Sequence, residues 1–118
     1  MPHLIIEFSR GQAAAPQVEA LLDAAHRAAV ASGLFEEGHI RVRASELEYF
    51  RVGGRADHFI HLQCRIHSGR DAGQRAQLSR ALLAALQGQQ WPAASITVEV
   101  VEMERATYAK YTSPNERE

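Results

Sequence analysis

The chain has 118 residues and a formal net charge of -1, with its 13 basic and 14 acidic side chains dispersed along it. This length suits one domain and is too short for two independent cores, so we expect a single domain over residues 1–118. The lack of a basic patch argues against nucleic acid or an anionic membrane as partner. The lone cysteine, Cys64, excludes an intramolecular disulfide, and no signal peptide or membrane span is predicted, so we expect a cytoplasmic protein.

The first half of the chain has the pattern of a strand, a helix and a second strand. A short apolar strand is predicted over His3 to Phe8. A helix is predicted to begin near Pro16, because proline has no N–H group to leave unsatisfied in the first turn, and to end at Gly33. The alternation that follows predicts a second strand with Arg41 and Arg43 on one face.

The second half repeats this order of elements. A strand is predicted from His58 to His67, with apolar residues on one side and polar residues on the other. Asp71 and Gln74 have the spacing of a capping box, which predicts the start of a helix that ends at Gly88. The alternation from Ile96 to Met103 predicts the fourth strand.

The two halves, about residues 1–55 and 56–118, match at a spacing of roughly 55 residues, which is typical of a duplicated unit. Leu4 aligns with Phe59 and Pro2 with Asp57, so each chain is expected to supply one N-terminal amine. The expected fold is α/β (α+β), with tandem β-α-β units forming a four-stranded sheet that carries both helices on one face. The other face bears residues such as Arg65 and is too polar for a core, which predicts a homo-oligomer.

Pro2 is the most informative residue, because removal of Met1 would turn it into an N-terminal secondary amine able to act as a general base. A chain-terminal amine titrates at roughly 7.7–8.0 and a secondary amine is more basic, so its pKa must be lowered to work near neutrality. Apolar surroundings and nearby guanidinium groups would both lower it. The alternative is that Pro2 merely begins a strand.

Two arginines have positions that suit a carboxylate substrate. Arg41 lies on the second strand, and Arg70 comes just before the N-terminus of the second helix, where free N–H groups attract anions. A single arginine is more often solvated or in a structural ion pair. His61 and His67 share a strand face but lie roughly 20 Å apart, so no metal site is expected.

Four runs of residues match a known family: Pro2-His3-Leu4-Ile5-Ile6-Glu7, Ser32-Gly33-Leu34-Phe35, Gly38-His39-Ile40-Arg41-Val42-Arg43 and Gly69-Arg70. In these runs the chain resembles the tautomerase superfamily and, within it, the 5-carboxymethyl-2-hydroxymuconate isomerase family. The resemblance implies a homotrimer without a cofactor, in which Pro2 is the general base and Arg41 and Arg70 bind substrate carboxylates. Arg43 also matches a family arginine.

The function that this resemblance implies is a proton transfer in a dienol di- or tricarboxylate of the 5-carboxymethyl-2-hydroxymuconate type. One alternative is a non-catalytic ferredoxin-like module that binds a ligand or serves assembly. Another is a hydratase or dehalogenase with the tautomerase fold, acting on an unsaturated acid. The tail from Glu104 matches the family poorly; Tyr108 and Tyr111 are its predicted anchors, and we expect it to be ordered only against a neighbouring subunit.

Overall fold

The computed structural model of the chain describes residues 1–11, 14–93 and 95–114. In these ranges it has four strands and two long helices: β1 (His3–Ser9), α1 (Ala15–Ala31), β2 (Arg41–Leu47), β3 (Phe59–His67), α2 (Ala72–Gln87) and β4 (Ser95–Met103). This order confirms the predicted β-α-β-β-α-β sequence of elements. Two 3₁₀ turns that the sequence did not predict lie at Glu37–His39 and Arg105–Thr107.

The sheet has the strand order β2-β1-β3-β4. β1 pairs in parallel with β2, β3 pairs in parallel with β4, and β1 and β3 are antiparallel neighbours at the centre. Each half of the chain therefore forms its own parallel pair. The strands of the two halves do not interleave, and this excludes the ferredoxin-like alternative.

The core lies between one face of the sheet and both helices. Its fully buried members alternate along the two central strands and recur at helical spacing: Leu4, Ile6, Ile60, Leu62, Cys64, Ile66, Leu21, Ala25, Ala29, Leu82 and Leu86. α1 packs on β2, α2 packs on β4, and the helices touch each other, so both lie on one face as predicted. Burial raises the pKa of the Cys64 thiol to about 12, which makes it a small core residue and not a nucleophile.

The helix boundaries follow from local chemistry. The Asp71 carboxylate accepts the N–H of Gln74 at 2.8 Å, and the Gln74 side chain accepts the N–H of Asp71 at 3.0 Å, which confirms the predicted capping box. α1 has Pro16 in its first turn. It ends before Gly33, whose φ of 73° would be costly for a residue with a side chain.

The alignment of the two halves differs by one residue from the prediction. Leu4 faces the helices, whereas Phe59 lies on the other face of the sheet, because it is one residue before the buried positions of β3. The equivalent positions are therefore His3 and Phe59, the first residues of β1 and β3, and the two halves align at a spacing one residue longer than predicted. Pro2 then aligns with His58 instead of Asp57. Since His58 has no free amine either, one N-terminal amine per chain remains the expectation.

None of the helices in the described ranges combines the length and apolar character needed to cross a membrane.

Candidate active site

The N-terminus lies at the end of the sheet where β1 and β2 begin and β3 and β4 end. Because β1 and β2 are parallel, their first residues are neighbours, and the backbone N–H of Arg41 donates to the Pro2 carbonyl at 3.0 Å. Because β1 and β3 are antiparallel, the last residues of β3 also lie beside Pro2. β4 ends next to β3, where the N–H of Ser68 donates to the Met103 carbonyl at 3.2 Å. Four strand termini thus surround the start of the chain.

The amine at this end of the chain is in a cationic and partly desolvated environment. Pro2 itself is fully buried. The pKa of the Met1 α-amine is lowered from its ordinary value of 8.0, first because burial penalises the ammonium form and then because four cations repel it. These cations, in decreasing order of effect, are Lys110, Arg70, Arg41 and Arg105. The structure thus brings Arg41 and Arg70 near the N-terminal amine.

Arg41 is turned toward the first residue of the chain. Its Nη1 donates to the His39 carbonyl at 3.2 Å and approaches the Met1 Sδ at 3.4 Å. The strand fixes its backbone and the 3₁₀ turn before β2 fixes its head group. The guanidinium therefore lies beside the position that the side chain of Met1 occupies.

Arg70 connects the two halves of the chain. Its Nη2 donates to the Leu34 carbonyl at 2.5 Å, and its guanidinium carbon lies 5.3 Å from the centre of the Phe35 ring. This arginine follows Gly69, whose φ of 128° turns the chain sharply between β3 and α2. The charge is held in place by a carbonyl and an aromatic face, and no carboxylate of the described residues neutralises it.

Arg43 has a different environment from Arg41 and Arg70. Its Nη1 lies 3.3 Å from the His3 Nδ1, and the His3 Nε2 lies 2.8 Å from the Tyr108 hydroxyl. Burial, followed by the charges of Arg43 and Arg41, lowers the pKa of His3 below 6.5. Because an arginine only donates, His3 accepts at Nδ1 and carries its proton on Nε2, which donates to Tyr108. The structure therefore places Arg43 against His3 and not at the amine.

The C-terminal tail packs against its own chain, contrary to the expectation that it needs a neighbour. The Arg105 Nε donates to the Ser68 carbonyl at 3.0 Å. The Tyr108 ring stands edge-on to the His67 ring, with their centres 4.7 Å apart. Tyr108 is the anchor that the sequence predicted, whereas Tyr111 is 84% exposed. The last four residues of the predicted tail, 115–118, lie outside the described residues.

Sequence reasoning assigned no role at this edge to His3, Arg105 or Lys110, and it named Tyr108 only as an anchor of the tail. They come from the two ends of the chain, which only the folded sheet brings together. Lys110 is the only lysine in the sequence, but no pattern in the sequence indicates its position in the fold. The site that results combines one terminal amine with several cations.

This cationic cluster suits a carboxylate ligand and not a metal ion. In the described part of the chain, no three His, Cys, Asp or Glu side chains lie close enough together to hold a metal. A cavity of about 670 Å³ lies elsewhere, between α1 and α2, and includes Ala28, Gln77 and Ala81 in its lining. It is on the helical side of the sheet and contains none of the residues around the amine.

Residues 2–116 match the sequence profile of the 5-carboxymethyl-2-hydroxymuconate isomerase family. The chain belongs to this family. It is therefore an isomerase with the tautomerase fold, as its resemblance to the family had implied. No curated protein sequence is significantly similar to it.

Several solved structures have the same fold. The chain is similar to a 5-carboxymethyl-2-hydroxymuconate isomerase from Deinococcus radiodurans R1, with 27% identity over 95% of this chain and 90% of that chain and a TM-score of 0.80. A wild-type fused 4-OT, solved as a symmetric trimer, is 18% identical over 98% and 94% of the chains, with a TM-score of 0.77. A malonate semialdehyde decarboxylase is 21% identical over 92% and 90%, with a TM-score of 0.69.

The effect of the cations on the amine is testable with Arg70→Gln. This change removes a charge that repels the ammonium form, so we expect the pKa of the N-terminal amine to rise. The pH dependence of acetylation of that amine, followed by the mass of the N-terminal peptide, measures the change. Arg80→Gln removes an exposed charge on α2 and is the matched control. Equal amine pKa values in the two variants would show that Arg70 does not act on the amine.

Proposed function

We propose that this isomerase acts on a dienol of the 5-carboxymethyl-2-hydroxymuconate type, with the amine of Pro2 as general base after removal of Met1. The observation that carries the proposal is the chain-terminal amine, partly buried and surrounded by four cations. The family membership and the 27% identical isomerase from Deinococcus radiodurans R1 support the choice of substrate. Neither a metal nor a cofactor is needed for such a proton transfer.

The amine of Pro2 would inherit the environment of the Met1 amine. Removing one residue moves the basic nitrogen to a position that is already buried, next to the Arg41 backbone. Burial and the neighbouring cations both disfavour the ammonium form. A larger fraction of the amine is then neutral near pH 7, which a proton acceptor requires.

The reaction rearranges bonds without any oxidant. Pro2 takes the proton of the 2-hydroxyl group as the C2–O bond becomes a carbonyl. The C2–C3 double bond moves to C3–C4, and the electron pair of the C4–C5 double bond accepts a proton at C5 from the Pro2 ammonium. The product is the 2-oxo-3-ene isomer, and the amine ends neutral, ready for another turnover.

The arginines have separate roles in this scheme. Arg41 and Arg70 bind substrate carboxylates and stabilise the negative charge that develops on the dienolate, since both are fixed before substrate arrives. Arg43 holds His3, which in turn holds Tyr108 near the site. We therefore place Arg43 as a positioning residue at the edge of the site.

A hydratase or dehalogenase with the same fold is the alternative. In that chemistry Pro2 would work as a protonated amine. Burial and the cation cluster act against protonation, because both lower the pKa of the terminal amine. This observation favours the base over the acid and so favours the isomerase.

We also propose that the protein is a homotrimer. In the described residues, both long helices lie on one face of the sheet, and the other face is contacted at one end by Tyr108, which packs against His67. On the open face, the His61 ring already has partners, since it lies 2.7 Å from both the Thr97 hydroxyl and the Glu99 carboxylate. The fused 4-OT of this fold is a symmetric trimer.

Light scattering is expected to give the mass of three chains, and a monomer would contradict the proposal.

The role of Pro2 is tested by Pro2→Ala. Alanine also permits removal of Met1 but leaves a primary amine without the pyrrolidine ring. We expect kcat/KM for the dienol to fall by about 10²-fold, the low end of the contribution of a positioned general base. The absorbance of the dienol measures the rate, and intact mass verifies the N-terminus.

The matched control is Pro16→Ala, which changes an exposed proline in the first turn of α1. It is expected to ketonise the dienol at the wild-type rate. If Pro2→Ala does so too, the amine of Pro2 is not the base.

A further inference from the structure

We propose that Lys110 in the C-terminal tail binds a substrate carboxylate jointly with Arg41, in the space that the Met1 side chain fills before its removal. This inference rests on the proposed function and extends it to a residue that neither the sequence pattern nor the family motifs indicated.

The geometry around Met1 carries the argument. The Nζ of Lys110 and the Nη1 of Arg41 each lie 3.4 Å from the Met1 Sδ. Two cationic donors therefore converge on one atom, and that atom is a thioether sulfur, which accepts hydrogen bonds only weakly. Donors of this kind pair far better with a carboxylate, whose two oxygens can accept from both at once. The sulfur occupies the place where an anion would fit.

The tail holds Lys110 in this position. Two residues earlier, Tyr108 is bound to His3 at 2.8 Å and packs against His67, and Arg105 is bound to the Ser68 carbonyl at 3.0 Å. These contacts tie the tail to the ends of β1 and β3. The lysine side chain consequently reaches the N-terminus of its own chain from a fixed base.

Removal of Met1 would leave the two cations facing an empty space next to the Pro2 nitrogen. No carboxylate of the described residues pairs with Lys110 or Arg41 there. Arg70, held by the Leu34 carbonyl, provides a separate positive charge near the same nitrogen. Two anion-binding positions near the base suit a substrate with at least two carboxylates.

The first test compares Lys110→Met with Lys110→Arg. Losing one charge-assisted contact is expected to raise KM for the dienol about tenfold, with kcat changed less than twofold, and arginine is expected to restore most of the affinity. Arg80→Met removes one exposed charge from α2 and is the matched control, with wild-type KM. An unchanged KM in Lys110→Met would overturn the inference. So would a shifted pH profile at constant KM, because Lys110 would then act only on the amine.

The second test does not require turnover. Because Lys110 is the only lysine in the chain, its acetylation is read from a single peptide by mass spectrometry. Adipate, a six-carbon dicarboxylate, is expected to slow this acetylation in the protein that begins at Pro2, and at lower concentration than the monoacid hexanoate. Equal acetylation rates with and without adipate would overturn the inference.

The two proposals fail in different ways. If Pro2→Ala is fully active, the assignment of Pro2 as general base is wrong. Protection of Lys110 by adipate then still tests whether Lys110 binds a carboxylate. If Pro2→Ala is inactive but Lys110→Met binds normally, the base stands and the subsite is wrong.

Discussion

The pairing of β1 is the constraint on which the rest of the structure depends. β1 lies parallel to β2 and antiparallel to β3, so the starts of β1 and β2 and the ends of β3 and β4 meet at one edge of the sheet. A parallel neighbour requires a crossover, which α1 provides in the first half and α2 in the second. The same arrangement that buries the core on one face therefore brings the N-terminus and the tail residues Arg105 to Lys110 together where these strand termini meet.

The chemistry of the site follows from placing an amine among cations. A single set of charges has two effects, since it lowers the pKa of the terminal amine and attracts anions. Burial of the amine is the larger cause, and the cations add to it. Exposed charges such as Lys110 are screened by salt, so their contribution is modest individually and depends on the tail keeping them in place. The same side chains thus lower the pKa of the terminal amine and attract an anionic substrate.

Local features of the sequence predicted the fold well. The alternation of β3 and the Asp71–Gln74 capping box depend on neighbouring residues, and the structure shows both. The contacts of Tyr108 with His3 and of Lys110 with Met1 span 105 and 109 residues, and no local pattern encodes them. The alignment of the two halves was wrong by one residue because it relied on turns and helix ends. The correct alignment of the two halves is the one that matches the buried positions of their strands, because a shift of one residue moves every side chain to the opposite face of the sheet.

The most direct measurement of the central claim is an NMR titration of the Pro2 nitrogen in protein labelled with ¹⁵N-proline, after intact mass has verified removal of Met1. The account predicts that the secondary amine has a lower pKa in the folded protein than in an unfolded peptide that begins Pro-His-Leu, because burial and the cation cluster carry over from Met1 to Pro2. A pKa in the folded protein equal to or above that of the peptide would contradict it, since the site would then not favour the neutral amine that a general base requires.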